Sequence, residues 1–185
     1  MAKDVVVNVG PLRKFQAAFN RALAGTGAGI MRDMLKQWAV RYRSFAQTRF
    51  HKLSKGGGGW PALKPATIRR RRKGRSGSKA SKAGNVAAIL RDTNTLFIAL
   101  DPVFQGKPGA VEQNIPFGVR VGYGGPQKHP GGKASIADIA SFHQEGTDVL
   151  PARPIIVEPD VRTRTAMAND AVRAMQRLAQ ESGNA

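Results

Sequence analysis

Residues 28–50 read AGIMRDMLKQWAVRYRSFAQTRF, and this stretch decides the fold class. Met31, Met34, Leu35, Trp38, Tyr42, Phe45 and Ala46 recur at steps of three and four, the spacing of one helix face. Arg32, Lys36, Arg43 and Gln47 fall off that stripe. The spacing predicts one continuous amphipathic helix from about Ala28 to Phe50, with Met34, Leu35, Trp38 and Phe45 at least partly buried. A helix with an apolar stripe of this width needs other elements to cover it, and the flanking sequence has to supply them.

Upstream, Val5, Val6, Val7 and Val9 predict a short strand. Gly10-Pro11 stops it and opens a helix, because proline suits a first helical position. That helix carries Leu12, Phe15, Ala18, Phe19, Ala22 and Leu23 and ends at Gly25 and Gly27. Downstream, Asp92 or Thr93 caps a short helix through Leu100, ended by Pro102. Phe117, Val119 and Val121 alternate with Gly118, Arg120 and Gly122, the pattern of a half-buried strand. Ser135 caps a helix with Ile136, Ile139, Ala140 and Phe142. Pro151-Ala152-Arg153-Pro154 leads into a predicted strand, Ile155-Ile156-Val157. Asp160 caps a last helix to about Glu181, with Val161, Ala168, Val172, Met175 and Ala179 on one face. The order β-α-α-loop-α-β-α-β-α predicts an α+β fold, a small and mainly antiparallel sheet packed with helices, in a single domain over residues 1–185.

The pattern disappears over 51–85, which predicts an extended basic, glycine-rich loop. Gly56 to Gly59 are four consecutive glycines, Ser76-Gly77-Ser78 and Ala83-Gly84-Asn85 follow, and Arg69-Arg70-Arg71-Arg72-Lys73 lies between. A short helix over Pro65 to Arg72 is compatible with Pro65 as its first residue; otherwise charge repulsion and glycine entropy keep the segment extended. Such a segment cannot build its own core, so its contacts are expected with other chains. The formal net charge is +18, a basic excess that implies an anionic partner. The excess is local. Residues Met34 to Arg91 hold sixteen of the 30 Lys and Arg and none of the 12 Asp and Glu.

Few catalytic chemistries fit. Cysteine is absent, which excludes disulfides, thiolate metal sites and a cysteine nucleophile. The histidines are His51, His129 and His143, without HExxH spacing. His143 and Glu145 stand two apart, and such positions do not share a helix face. No GxSxG element occurs, and Gly56–Gly59 lacks the Gly-Lys-Ser/Thr of a phosphate loop. No cofactor is expected, nor an enzyme. No apolar run is long enough to span a membrane, and Met1-Ala2-Lys3-Asp4 does not open a signal peptide. The basic run is the strongest chemical signal. It reads as a patch for phosphates or carboxylates, or as a solvated face. Trp60 is the only Phe, Tyr or Trp between Phe50 and Phe97, so stacking on bases is not provided for and contact with nucleic acid would be with its backbone.

Three fragments carry a resemblance. The first is Arg49-Phe50 at a helix end, then Gly59-Trp60-Pro61-Ala62-Leu63-Lys64-Pro65-Ala66-Thr67 and the basic stretch. The second is Leu90-Arg91-Asp92-Thr93-Asn94-Thr95-Leu96. The third is His143-Gln144-Glu145-Gly146-Thr147 followed by Pro151-Ala152-Arg153-Pro154. In this order they resemble the phage virion morphogenesis family, the tail-completion proteins of long-tailed phages, with its Gly-x-Trp-x-x-Leu-x-x-x-Thr, Leu-x-x-Thr-Gly-x-Leu, His-Gln-x-Gly and Pro-Ala-Arg-Pro elements. Asn94 stands where the family often has Gly, Ile155 where Phe is common, and Ile139-Ala140 where Tyr-Ala often precedes His-Gln.

The resemblance implies a non-enzymatic virion protein, assembled in the host cytoplasm, that completes the tail or neck and joins head to tail. It implies a homo-oligomeric ring, six-fold at the level of the family, between head connector or neck proteins and tail terminator or tube proteins. Within that frame Lys64, Arg69, Arg70, Arg71, Arg72, Lys73, Arg75 and Arg153 are the candidate contacts to partner proteins or, without base specificity, to DNA. Arg153 offers a planar fork suited to a carboxylate across an interface. The alternative reading is a non-specific nucleic-acid-binding protein that uses the basic 64–82 segment. Reversing Arg70, Arg71 and Arg72 to Glu is expected to impair either role and leave the fold's stability unchanged.

Overall fold

The computed structural model describes residues 27–56, 58–73, 87–103, 106–115, 118–130 and 132–183. The predicted N-terminal strand and helix, Phe117, and residues 74–86 with Arg75 lie outside them. α1 spans Ala28–Ser54, 27 residues and about 40 Å at 1.5 Å per residue. It passes the predicted end at Phe50 because Leu53 continues the inward row of Ala46 and Phe50 and is itself buried. It stops at Lys55, before Gly56 at φ +83°.

α2 is Pro65–Arg72, with proline in the first turn, the helical one of the two readings that the sequence allows. α3 is a single turn, Thr95–Ile98. β1, Ala110–Ile115, and β2, Gly118–Tyr123, form an antiparallel hairpin in which Ala110 faces Tyr123 and Ile115 faces Gly118. α4 is Ile136–Glu145, closed at its start by a capping box: Ser135 accepts from Asp138 N, and the Asp138 carboxylate accepts from Ser135 N. α5 is Val161–Gly183, and Asp160 Oδ1 accepts from Thr163 N at 2.8 Å. The protein is therefore α+β, helices around one small antiparallel sheet. Among the described residues no helix is long and apolar enough to cross a membrane.

α1 is shared by two cores. Its C-terminal part, Tyr42, Ala46, Phe50 and Leu53, packs with Trp60, Leu96, Leu100, Val121, Ile136 and Ile155. Its N-terminal part, Met31, Met34 and Trp38, packs with Ala174 and Leu178 of α5. Two polar ties fix the second packing. Trp38 Nε1 donates to Met167 O at 2.8 Å, and Arg41 forms a forked pair with the nearly buried Asp170, at 2.5 and 3.0 Å. Arg173 also donates to Asp170.

Four expectations are corrected. Arg43, read as off the stripe, is fully buried: it donates to Ala99 O at 2.9 Å and Val111 O at 2.8 Å and pairs with Glu112 at 3.3 Å. Burial depresses its pKa, an effect that the Glu112 carboxylate opposes. The inward face of α5 is Met167, Asp170, Ala171, Ala174, Met175 and Leu178; Met175 lies on it as expected, while Val161, Ala168, Val172 and Ala179 point outward, because the ties to Trp38 and Arg41 set its rotation. Ile155-Ile156-Val157 is not a strand. The 51–85 segment is not one loop: residues 51–54 finish α1, Trp60 is buried in the chain's own core, and 65–72 are helical.

Candidate functional site

The three fragments meet at one junction. Gln144, near the end of α4, points its side-chain amide at residues 155 and 156. Its Oε1 accepts from Ile155 N at 2.9 Å and Ile156 N at 3.0 Å, and its Nε2 donates to Ile156 O at 2.8 Å. Buried backbone groups need partners, and here one side chain supplies what a neighbouring strand would have supplied. Ile155 and Ile156 can thus stay buried without joining a sheet.

Pro154 O accepts from Trp60 Nε1 at 3.1 Å and from Arg49 Nη1 at 2.7 Å. Trp60 stands edge-on to Phe50, with ring centroids 5.1 Å apart. Arg153, expected to reach a carboxylate outside its chain, is 5 % exposed and folds back. It donates from Nε to Pro61 O at 3.1 Å and from Nη2 to Ala62 O at 3.4 Å. Its backbone N donates to His143 O at 2.6 Å. The expectation of an intermolecular Arg153 contact is revised to an internal clamp joining 61–62 to 153. Burial, and after it the charge of Arg71, lowers its pKa.

Gly146 makes the closure possible. Its φ is +80°, and a Cβ there would lie 2.9 Å from Ala152 N, so any side chain would be both strained and crowded. Asn94, before α3, also sits in the left-handed region at φ +59°, and its Oδ1 accepts from Arg91 Nε at 2.6 Å. Asn94 rather than Asp92 or Thr93 precedes the helix, and it makes no side-chain cap bond.

The basic run lies on α2. Lys64, Arg69, Arg70, Arg72 and Lys73 are exposed. Arg71 is not: it donates to Ala88 O at 2.7 Å and pairs with Asp92 at 3.6 Å. Burial lowers its pKa, and Asp92 partly offsets that. α2 therefore presents four arginines and lysines from 69–73 outward and uses the fifth as its anchor. Trp60 on one side and Arg71 on the other hold this helix to the body.

Among the described residues no group of three or more His, Asp or Glu is placed to hold a metal ion. His143 Nδ1 is buried with no hydrogen-bond partner among the described residues, and burial, with the cations Arg153 and His129 behind it, lowers its pKa to about 4. No protein-family model, curated protein or solved structure matches the chain. Arg43, Arg49 and Gln144 are the working residues that the sequence reading missed. Arg43 had no sequence signal. Gln144 had one, its place in the His-Gln-x-Gly element.

Proposed function

We propose that this chain is a non-enzymatic structural subunit of a long-tailed phage particle, a ring component that completes the tail or neck and joins head to tail. One observation carries the reading: the resembling fragments, far apart in sequence, contact one another. Trp60 of the first bonds to Pro154 of the third across 94 residues, and Arg153 of the third bonds to Pro61 of the first across 92. Short likenesses arising by chance have no reason to converge. The second fragment fits as well, since Asn94 replaces a family glycine at a left-handed position, where Asn is the usual non-glycine choice. The fragments thus read as the joints of a fold, consistent with an assembly subunit rather than a catalyst.

The exposed face of α2 favours a second reading, non-specific binding to nucleic acid through Lys64, Arg69, Arg70, Arg72 and Lys73. Light scattering and negative-stain imaging of the purified chain, with and without duplex DNA, separate the two. Closed rings in the absence of DNA are expected. A monomer that binds duplex and never forms rings would overturn the neck reading in favour of the second.

A further inference from the structure

Two surfaces of this chain match each other. The first is an open groove of about 580 Å³ between the middle of α1 and the start of α5. Its apolar part is Val40, Phe45 and Ala166, and its charged part includes Arg49, Lys52 and Arg162. Val40 is exposed on a helix whose other apolar side chains are mostly covered. Arg49 donates to backbone carbonyls at 154 and 155, and no carboxylate pairs with it among the described residues. Arg41 at the same groove already has Asp170. Asp160 is the single acid in the lining, and it caps α5. The groove is therefore apolar with a cationic excess.

The second surface is the turn after α4. Thr147 N donates to Leu150 O at 2.8 Å, Leu150 N donates to Thr147 O at 3.2 Å, and Thr147 Oγ1 accepts from Val149 N and Leu150 N. Gly146 locks the entry to this turn. The turn holds Val149 outward at 76 % exposure, with Leu150 and Phe142 also exposed. Glu145 and Asp148 are exposed on either side of Gly146-Thr147. The knob is apolar with an anionic rim, and its turn is closed by its own hydrogen bonds. Exposed apolar groups grouped in this way mark interaction sites.

We infer that the occupant of the groove is the 145–150 knob of a second copy of this chain. Val149 and Leu150 cover Val40 and Phe45, while Glu145 and Asp148 meet Arg49, Lys52 and Arg162. The groove lies within the roughly 300–1,000 Å³ range of pockets that take a drug-sized group, and a two-residue aliphatic tip is no larger than that. A nucleic acid would satisfy the cations and leave the aliphatic floor uncovered. Because groove and knob are different surfaces, each copy carries one of each, the requirement for a contact that repeats around a closed ring. The inference rests on the ring reading above and supplies the contact that such a ring needs.

The test is charge reversal in the full chain, read by light scattering and negative-stain imaging. Lys52→Glu with Arg162→Glu is expected to reduce rings to monomers, and Glu145→Lys with Asp148→Lys to do the same. All four exposed substitutions in one chain are expected to restore rings, since the pairing is re-created with opposite sign. Mixing the two double variants is expected to restore rings in which the two chains alternate, because each groove then meets a knob of opposite charge on the other chain, while like chains still repel. Circular dichroism melting of each variant identifies any that fails to fold, and Val149→Ser, at an exposed site, gives a second and uncharged disruption. Wild-type rings that survive both double variants and Val149→Ser would overturn this inference and leave the ring reading intact. A wild-type chain that is monomeric at every concentration would overturn the ring reading, and the inference with it.

Discussion

Gln144 and Ile156 exchange two hydrogen bonds, Nε2 donating to Ile156 O at 2.8 Å and Oε1 accepting from Ile156 N at 3.0 Å, as a paired strand residue would. The same Oε1 serves Ile155 N. This contact accounts for both the missing strand at 155–157 and the position of the Pro-Ala-Arg-Pro element against α1.

Gln144→Leu should therefore destabilise the fold far more than a surface change. It leaves three buried backbone groups without partners, at about 1–3 kcal/mol each before relaxation. We expect a loss of about 3 kcal/mol in urea denaturation. Gln144→Glu keeps the acceptor and loses the donor, and should cost less. A loss within 0.5 kcal/mol for Gln144→Leu would show that the amide is not what holds the segment.

Gly146→Ala tests the closure beside it. The residue combines φ +80° with a Cβ 2.9 Å from Ala152 N, so strain of about 1–3 kcal/mol is expected. Asn94→Gly is the control at a left-handed site. It should lie close to wild type, whereas Asn94→Val should lose about 1–2 kcal/mol. Equal melting temperatures for Asn94→Gly and Asn94→Val would contradict the backbone assignment.

The charge reversal expected to spare stability has to be redesigned. Arg71 anchors α2 through Ala88 O and Asp92, so any set containing Arg71→Glu should lower the melting temperature. Arg69→Glu, Arg70→Glu and Arg72→Glu together should leave it within about 2 °C, consistent with small effects at exposed sites. If wild type binds duplex DNA, log affinity should fall by roughly 0.9 per contacted phosphate for each unit of log salt, and the variant should flatten that slope. An unchanged slope would make the outward arginines a solvated face.

Acid should act on His143 before it acts on the carboxylates. Burial lowers its pKa to about 4 from the ordinary 6.5. Between those values the unfolded chain takes up a proton that the folded chain refuses, so stability falls as pH drops through 6.5 and levels off near 4. Asp170 is held low chiefly by its hydrogen bond from Arg41, so its contribution is present above the ordinary carboxylate pKa and lost only at still lower pH. His143→Gln should flatten the melting-temperature profile between pH 6.5 and 4 and leave the drop below it.

How much of this was legible in the sequence depended on whether a residue's role was periodic. The stripe from Met31 to Ala46 gave α1, the Ser135 and Asp160 caps gave the starts of α4 and α5, and Pro65 gave the start of α2. Strand β1 was missed because Ala-Val-Glu-Gln-Asn-Ile has no clean alternation. The sequence puts Arg43 off the buried stripe and Arg153 at an interface, because burial of an arginine depends on carbonyls brought in from elsewhere, at 99 and 111 for one and at 61 and 62 for the other. The 155–157 strand was over-read for the reverse reason. A β-branched run favours strand pairing, but does not say whether its partner is a strand or a single amide.

The division of α1 between two cores also has a meaning in time. Its C-terminal part begins to find partners at Trp60 and Ile89, soon after it is made. Trp38 must wait for Met167, 129 residues downstream. At translation rates of 5–20 residues per second, that delay is on the order of ten seconds. For that interval Met31, Met34 and Trp38 form an uncovered apolar stripe on a nascent chain, and it is there that a chaperone, or another nascent copy, would first take hold.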